Sequence, residues 1–257
     1  METALYESII FGPIHSRRLG ISLGINLLPA EGKICSFNCI YCECGYNEER
    51  KGGKFPSRED VYKALEAKLV LLKQQGIEPN VFTFAGNGEP TLNPHFPQVI
   101  DDTIILRDKY FPNAKISVLS NSTQILKDSV FNALKKVDNN ILKIDSAFID
   151  TIKLIDDPNQ PDYNIDRIVD RMAQFKGEVI VQTMILRGEH NGKVVDNSTD
   201  EQINALIKLY KLIAPKQVMI YSLDRPTPED KLIKVEKPEL QKIADRINAE
   251  GIFTTVS

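Results

Sequence analysis

The sequence lacks the features of a membrane or secreted protein. No apolar run reaches the roughly 18 residues that a membrane-spanning helix needs. The N-terminus, Met1 to Glu7, has no basic patch followed by an apolar core, so it does not resemble a signal peptide. Internal repeats and low-complexity linkers are absent too. These absences predict a cytoplasmic protein with no membrane partner, in a compartment where thiols stay reduced.

Positive charge is not in excess. The 257 residues include 32 Lys and Arg against 35 Asp and Glu, which gives a formal net charge of −3. Dedicated nucleic-acid binders are usually more basic, so nucleic acid has only weak support as a partner. Two short basic clusters leave a local nucleic-acid-binding patch as an open alternative, although runs of like charge are commonly just solvated surface. They are His15, Arg17 and Arg18 and, after the cysteines, Lys51, Lys54 and Arg58.

Strand-like and helix-like patterns alternate along the chain. Strands are predicted at 21–28, 81–85, 115–120, 141–145, 179–186 and 218–223, with a short one at 252–256. Helices are predicted at 57–75, 96–109, 125–137, 164–175, 199–212 and 238–250. Six strand–helix units in succession predict an α/β fold with a parallel sheet that curls into a barrel or partial barrel. We expect one domain, 1–257, with a short N-terminal extension of about residues 1–20.

Polar segments follow the predicted strands. In parallel α/β barrels the chemistry lies on the loops at the carboxyl ends of the strands. We therefore expect these segments to meet at one rim. In chain order they are the cysteine loop, Gly86 to Pro90, Ser120 to Ser122, Asp145 and Ser146, Arg187 to His190, and Asp224 to Pro226.

Three cysteines, Cys35, Cys39 and Cys42, form a C-x3-C-x2-C run, and Cys44 is the only other cysteine. A structural zinc site normally has four ligands, often as two separated pairs. A redox disulfide between Cys39 and Cys42 would leave Cys35 unexplained. A 4Fe–4S cluster fits best, because its irons are far enough apart for ligands on one short loop. Three thiolates leave one iron open to a small molecule.

The run, with Tyr41 before its last cysteine, resembles the signature of the radical S-adenosylmethionine (SAM) superfamily. The triplet Gly88-Glu89-Pro90 resembles that superfamily's second signature. The stretch from Phe11 to Asn26 is similar to one branch, the wyosine-tRNA synthetase-like proteins. The resemblance implies a partial (β/α)6 TIM-like barrel with two cofactors, a 4Fe–4S cluster held by the three cysteines and SAM.

The resemblance also implies a mechanism. SAM binds the open iron, an electron from the reduced cluster cleaves it, and the resulting 5′-deoxyadenosyl radical abstracts hydrogen from a substrate. An electron donor such as flavodoxin or ferredoxin is the implied partner. Nothing in the sequence identifies the substrate, and RNA and small molecules both stay open.

Further site residues follow from this resemblance and from the strand ends. The implied cofactor-binding residues are Tyr41, Gly88, Glu89, Pro90, Ser120, Asn121, Lys143, Asp145 and Gln182. Candidate catalytic residues are Lys143, Asp145, Arg187 and His190.

Several of these residues have structural alternatives. The period of two directs Lys143 and Asp145 into the barrel, where they would bind SAM or form a mutual ion pair. Arg187 and His190 would handle protons or anions, or lie in a solvent loop. Cys44 is expected to be a spare thiol rather than a radical acceptor.

Two other functions stay open. A glycyl-radical activating enzyme has the same cysteine spacing, and a metal-binding interaction module would use it without catalysis. The wyosine-tRNA synthetases carry extra cysteines for a second cluster. This sequence lacks them, which argues against wyosine synthesis itself.

Overall fold

The computed structural model describes residues 5–16, 20–47 and 53–257. Two of the three residues of the first basic cluster, Arg17 and Arg18, lie outside these ranges, as does Lys51 of the second. In the described chain, the strands are β1 Ile10–Ser16, β2 Gly20–Ile25, β3 Val81–Phe84, β4 Lys115–Ser120, β5 Asn139–Lys143, β6 Ile180–Met184, β7 Leu186–His190, β8 Lys193–Asp196, β9 Gln217–Tyr221, β10 Leu232–Lys234 and β11 Thr254–Val256. The helices are α1 Arg58–Gln74, α2 Phe96–Tyr110, α3 Asp128–Leu134, α4 Ile149–Ile155, α5 Ile165–Ala173, α6 Asp200–Ile213 and α7 Lys237–Ala249.

The main sheet confirms the predicted parallel architecture. Its strand order is β1-β2-β3-β4-β5-β6-β9-β11, and every pair from β2 onward is parallel. Such pairs need long crossover connections, which the helices supply. Helices and sheet enclose the main apolar core. No helix within the described ranges combines the length and apolar character needed to cross a bilayer.

The predicted helix start at Ser57 is confirmed, and its contacts explain why α1 begins there. The Ser57 hydroxyl accepts a hydrogen bond from the Asp60 backbone N–H at 3.1 Å, and the Asp60 carboxylate reaches back to the Ser57 N–H. This capping box satisfies two N–H groups that have no partner within the helix. Thr199 caps α6 in a similar way, by accepting from the Gln202 backbone N–H.

Several predicted boundaries are wrong. The first predicted strand ends at Ile25, not Leu28, and the expected N-terminal extension contains β1, which pairs antiparallel with β2. The predicted strand 179–186 is divided at Ile185 into β6 and β7. The segment Arg187 to His190 is not a rim loop. It belongs to β7, the central strand of a separate sheet with the order β10-β7-β8.

The main sheet curls around a cavity of about 360 Å³. Side chains from seven of its strands line that cavity. They are Phe11 of β1, Ser22 of β2, Thr83 of β3, Leu119 of β4, Ile141 of β5, Gln182 of β6 and Met219 of β9, with Cys42 and Cys44 at one end. We call this space the lumen cavity. The strands that face this cavity run from β1, at one edge of the sheet, to β9, which is next to the other edge. The sheet therefore forms part of a barrel wall.

Candidate metal and cofactor site

The cysteine loop is attached to the fold on both sides. At its start, Ile34 donates a backbone hydrogen bond to Asn87 at 3.1 Å and accepts one from Glu89 at 3.0 Å. Further along, the Ile40 N–H donates to the carbonyl of Ile155, the last residue of α4, at 3.0 Å. The loop therefore lies between the turn after β3 and the end of α4.

All four cysteines are free thiols: Cys35, Cys39 and Cys42 are partly buried, and Cys44 is buried. No group of three or more His, Cys, Asp or Glu side chains in the described residues is arranged to hold a single metal ion. A four-iron cluster meets each thiolate at a different iron, so its ligands need not converge on one point.

Buried nitrogens surround the cysteine loop, and two of them donate to ligand sulfurs. The Asn121 side-chain amide donates to Cys35 Sγ at 3.5 Å. Lys143 Nζ donates to Cys39 Sγ at 3.0 Å. The buried ammonium of Lys33 lies in the same loop, and Cys42 acts on its charge more strongly than the other cysteines do. Donors of this kind stabilise thiolates and the negative charge of an iron–sulfur cluster.

Lys33 is the clearest sign that the loop fits an anionic group. Its side chain is only 3% exposed, and Nζ donates to the Gly45 carbonyl at 2.5 Å. Burial alone would lower the pKa of Lys33, but the three cysteines together hold it above its ordinary value. A buried ammonium is costly unless negative charge lies nearby. A thiolate-bound cluster supplies that charge, so the residues present fit the group.

The second lysine belongs to a buried ion-pair network. Lys143 Nζ lies 3.2 Å from Asp145 Oδ2 and also pairs with Asp156, the residue after α4. Tyr41 donates its hydroxyl hydrogen to Asp145 Oδ2, and the Met184 N–H donates to Asp145 Oδ1 at 2.8 Å. The mutual ion pair that the sequence left open is thus present.

The electrostatics of this network have two causes. Burial opposes the charge on Lys143, but Asp145 and Asp156 hold the pKa of Lys143 well above its usual range. For Tyr41, burial and then Asp145 raise the pKa of the phenol well above its ordinary value. Tyr41 therefore stays protonated and can act as a donor to Asp145.

The Gly-Glu-Pro turn packs against the start of the cysteine loop. Gly88 has a φ of +127°, and a Cβ there would lie 2.0 Å from the Ile34 carbonyl oxygen. Only glycine permits this approach, and the backbone that comes close is that of the cysteine loop. Pro90 begins a short 3₁₀ helix, Pro90–Leu92, whose N-cap is Glu89.

Glu89 connects this turn to the end of β4. Its carboxylate, 2% exposed, accepts hydrogen bonds from Ser120 Oγ at 2.9 Å and from the Asn121 N–H at 2.6 Å. It also accepts from the Thr91 N–H at 3.1 Å. Burial is the main influence on this carboxyl, and the pKa of Glu89 lies above its ordinary value. Ser120 and Asn121 are thereby fixed beside the cysteine loop.

Gln182 occupies a different position from these residues. It is 8% exposed, lines the lumen cavity, and its side chain makes no hydrogen bond to any other described residue. A buried amide without a partner is unfavourable unless a ligand or water completes its hydrogen bonds. Gln182 is thus available to a molecule in the lumen cavity.

Arg187 and His190 do not line the lumen cavity. Arg187 donates to Glu239 Oε2 at 3.0 Å and to Ser198 Oγ at 2.8 Å, and these contacts lie beside the small sheet. His190 lies 3.2 Å from Glu229 and borders a second cavity of about 910 Å³, behind the cysteine loop. The structure therefore does not bring these two together with the other predicted site residues.

Sequence reasoning missed two charged residues of the site. Lys33 lies two positions before Cys35, and a charge so close to the cysteines was an available signal. Asp156 follows α4, a helix that was not predicted. Arg225 donates to Glu43 at 2.7 Å at the edge of the lumen cavity, and its guanidinium also acts on the Tyr6 hydroxyl, a contact that the sequence did not predict.

Comparison with known proteins identifies the family. The model of the Radical SAM superfamily matches residues 32–198. The chain belongs to the radical SAM superfamily. The UPF0026 protein MJ1312 of Methanocaldococcus jannaschii is 34% identical over 239 residues, which cover 91% of this chain and 68% of that protein. As a radical SAM protein, the chain is an enzyme of a superfamily that uses a 4Fe–4S cluster with SAM and needs a reductant.

Solved structures confirm the fold. A radical SAM methyltransferase from Sphaerobacter thermophilus superposes with a TM-score of 0.68 at 16% identity, covering 92% of this chain and 65% of that one. TYW1 with a lysine-pyruvate adduct bound superposes with a TM-score of 0.62 at 19% identity, covering 89% and 73%. The predicted partial TIM-like barrel is confirmed.

Proposed function

We propose that Cys35, Cys39 and Cys42 hold one 4Fe–4S cluster, and that the enzyme abstracts hydrogen from a substrate in the lumen cavity. The observation that carries this proposal is the set of buried nitrogens around the three cysteines: Asn121 at Cys35, Lys143 at Cys39, and Lys33 bonded to Gly45 inside the same loop. When bound, the cluster supplies the electron that cleaves SAM to a 5′-deoxyadenosyl radical, which removes a hydrogen atom from the substrate.

The chain's own residues divide into two groups in this proposal. Glu89, Ser120 and Asn121 position the cysteine loop, because their side chains hydrogen-bond one another and Asn121 reaches Cys35. Lys143 and Asp145 orient Tyr41, whose ring lies 4.7 Å from Lys143 Nζ. These residues act on the cofactors by fixing the shape of their site.

The second group contacts the cofactor or the substrate directly. The Gly88–Pro90 backbone borders the cysteine loop and is proposed to bind the methionyl ammonium of SAM. Tyr41 is proposed to support the adenine. Gln182 faces the lumen cavity with free hydrogen-bonding capacity, which supports a direct contact to a bound molecule.

Two features of the reaction follow as proposals. A small electron carrier such as flavodoxin or ferredoxin is the reductant. The substrate is a small molecule or part of an RNA, and its reacting group fits a cavity of about 360 Å³. The cavity has the size typical of small-molecule sites.

Anaerobic reconstitution with iron and sulfide tests the cluster assignment. The wild-type chain should bind four irons and release 5′-deoxyadenosine from SAM on reduction. Cys35→Ala, Cys39→Ala and Cys42→Ala should each abolish that release. One zinc per chain with no cleavage would contradict the proposal and favour a metal-binding interaction module.

Isotope transfer identifies the substrate. Candidate small molecules and RNA, each deuterated at one position, are incubated with the reduced enzyme and SAM. Deuterium in the released 5′-deoxyadenosine marks the compound and the carbon that react. Transfer only from the glycine of a partner protein would instead show a glycyl-radical activating enzyme.

A further inference from the structure

The two lysines beside the cysteines differ in what balances their charge. Lys143 is paired with two buried carboxylates, Asp145 and Asp156. For Lys33, no carboxylate partner is present among the residues that the structure describes. Its Nζ donates to the Gly45 carbonyl, and the Gly45 N–H in turn donates to the Cys42 carbonyl at 3.0 Å, so the ammonium lies against the cysteine loop. Lys33 therefore brings one positive charge to the loop that protein carboxylates do not offset.

We propose that Lys33 sets the reduction potential of the cluster, as the cation that offsets its negative charge. This inference rests on the proposed function. One-electron reduction makes a thiolate-bound cluster more negative by one charge, and a fixed cation nearby favours that product. Lys143 with Asp145 and Asp156 carries two carboxylates and one ammonium, so these three residues bring no net positive charge that would favour the reduced cluster. Asn121, the donor at Cys35, is neutral.

The position of Lys33 suits this role. Lys33 Nζ donates a hydrogen bond to the carbonyl of Gly45, which is 12 residues further along the sequence, and all four cysteines lie between these two residues. Its neighbour Ile34 is fixed by backbone bonds to Asn87 and Glu89. The ammonium is thus held in place inside the loop, away from solvent that would screen its charge.

A potentiometric titration followed by electron paramagnetic resonance tests the inference on the reconstituted full chain without SAM. Lys33→Met keeps the side-chain length and removes the charge. We expect its reduction equilibrium to fall at least tenfold, a shift of about 59 mV to more negative potential. Lys33→Arg should stay near the wild-type potential. Lys73→Met, the same change at an exposed lysine of α1, is the matched control and should leave the potential unchanged.

The possible outcomes separate charge from shape. A fully loaded Lys33→Met protein with the wild-type potential would overturn the inference and leave the proposed function standing. If Lys33→Met and Lys33→Gln fold but lose iron while Lys33→Arg keeps it, the result would support a requirement for the positive charge. Equal iron loss in all three Lys33 variants would show a structural role for Lys33 and overturn the inference. Unfolding of iron-free Lys33→Met would have the same meaning. A wild-type chain that binds no cluster would overturn both proposals.

Discussion

The Glu89 carboxylate accepts a hydrogen bond from the Asn121 backbone N–H at 2.6 Å, and this bond joins the turn after β3 to the end of β4. Asn121 in turn donates its side-chain amide to Cys35 Sγ. One buried carboxylate thus controls the position of a donor at a cluster ligand, although it does not touch the sulfur itself.

Replacing Glu89 tests this connection. Glu89→Ala leaves the buried donors of Thr91, Ser120 and Asn121 without an acceptor, which should cost about 3 kcal/mol or more of unfolding free energy. Glu89→Gln keeps one acceptor oxygen and should cost less. Urea unfolding of the iron-free proteins measures both. Equal stability of Glu89→Ala and wild type would contradict the account of this network.

Gly88 should be intolerant of any side chain. Gly88→Ala places a Cβ 2.0 Å from the Ile34 carbonyl oxygen, so we expect a loss of at least about 3 kcal/mol and poor iron loading. Gly192 also has a positive φ, of +73°, but a Cβ there meets nothing within 4 Å. Gly192→Ala should therefore cost about 1 kcal/mol and bind iron normally. Similar behaviour of the two variants would rule out the close approach as the cause.

Cys44 should be dispensable for cluster binding. It lies next to Cys42 in the lumen cavity and its Sγ donates to the Gly86 carbonyl at 3.5 Å. Cys44→Ala should bind four irons and cleave SAM, because the three-cysteine ligand set is intact. Iron analysis and 5′-deoxyadenosine release measure this. A Cys44→Ala protein that cleaves SAM but no longer converts its substrate would instead assign Cys44 to the radical step.

Asn140 offers a test of the core that is independent of the site. It is 1% exposed in β5, and both its amide oxygen and nitrogen lack hydrogen-bond partners in the described structure. Asn140→Leu removes two unsatisfied polar atoms with little change in volume, so it should stabilise the fold by about 1 kcal/mol. Chemical unfolding measures the gain. Destabilisation would mean that a buried water satisfies the amide.

Arg187 should contribute to stability rather than to catalysis. Its guanidinium lowers the pKa of Glu239 below the ordinary value of 4.5. The stabilisation from this pair is therefore present above pH 4.5 and disappears as the pH falls through the lowered pKa. Arg187→Gln should lose less than about 1 kcal/mol at pH 7, and the difference from wild type should shrink in acid as the Glu239 pair is lost. Its SAM cleavage should be unchanged, and a large loss there would restore Arg187 as a catalytic candidate.

The sequence predicts the parts of this structure that depend on local pattern. The β3 run from Val81 is buried at every position, and the helix starts at Ser57 and Thr199 have capping residues, so local pattern and caps located them well. The strand β7 was missed because Arg187, Gly188 and Glu189 read as a polar turn. Their pairing with β8 and β10 is a tertiary effect that overrides local preference.

The charged partners of the site residues could not be predicted from local sequence pattern either. The period of two put Lys143 and Asp145 on one face, and the two form an ion pair, but Asp156 joins them only because α4 returns its last turn to the cysteine loop. The contact of Lys33 with Gly45 is likewise fixed by how the loop closes. Spacing identified the candidate ligands, whereas the groups that balance their charge required the fold.

The bond between Lys33 and Gly45 also bears on how the cluster is assembled. It closes the loop around the cysteines using only groups of the protein, and the loop is anchored again at Ile34 and Ile40. Part of the entropy cost of ordering the cysteines is then offset by contacts within the protein itself. Variants that break the Lys33–Gly45 bond should therefore weaken iron binding even though all three cysteines are retained.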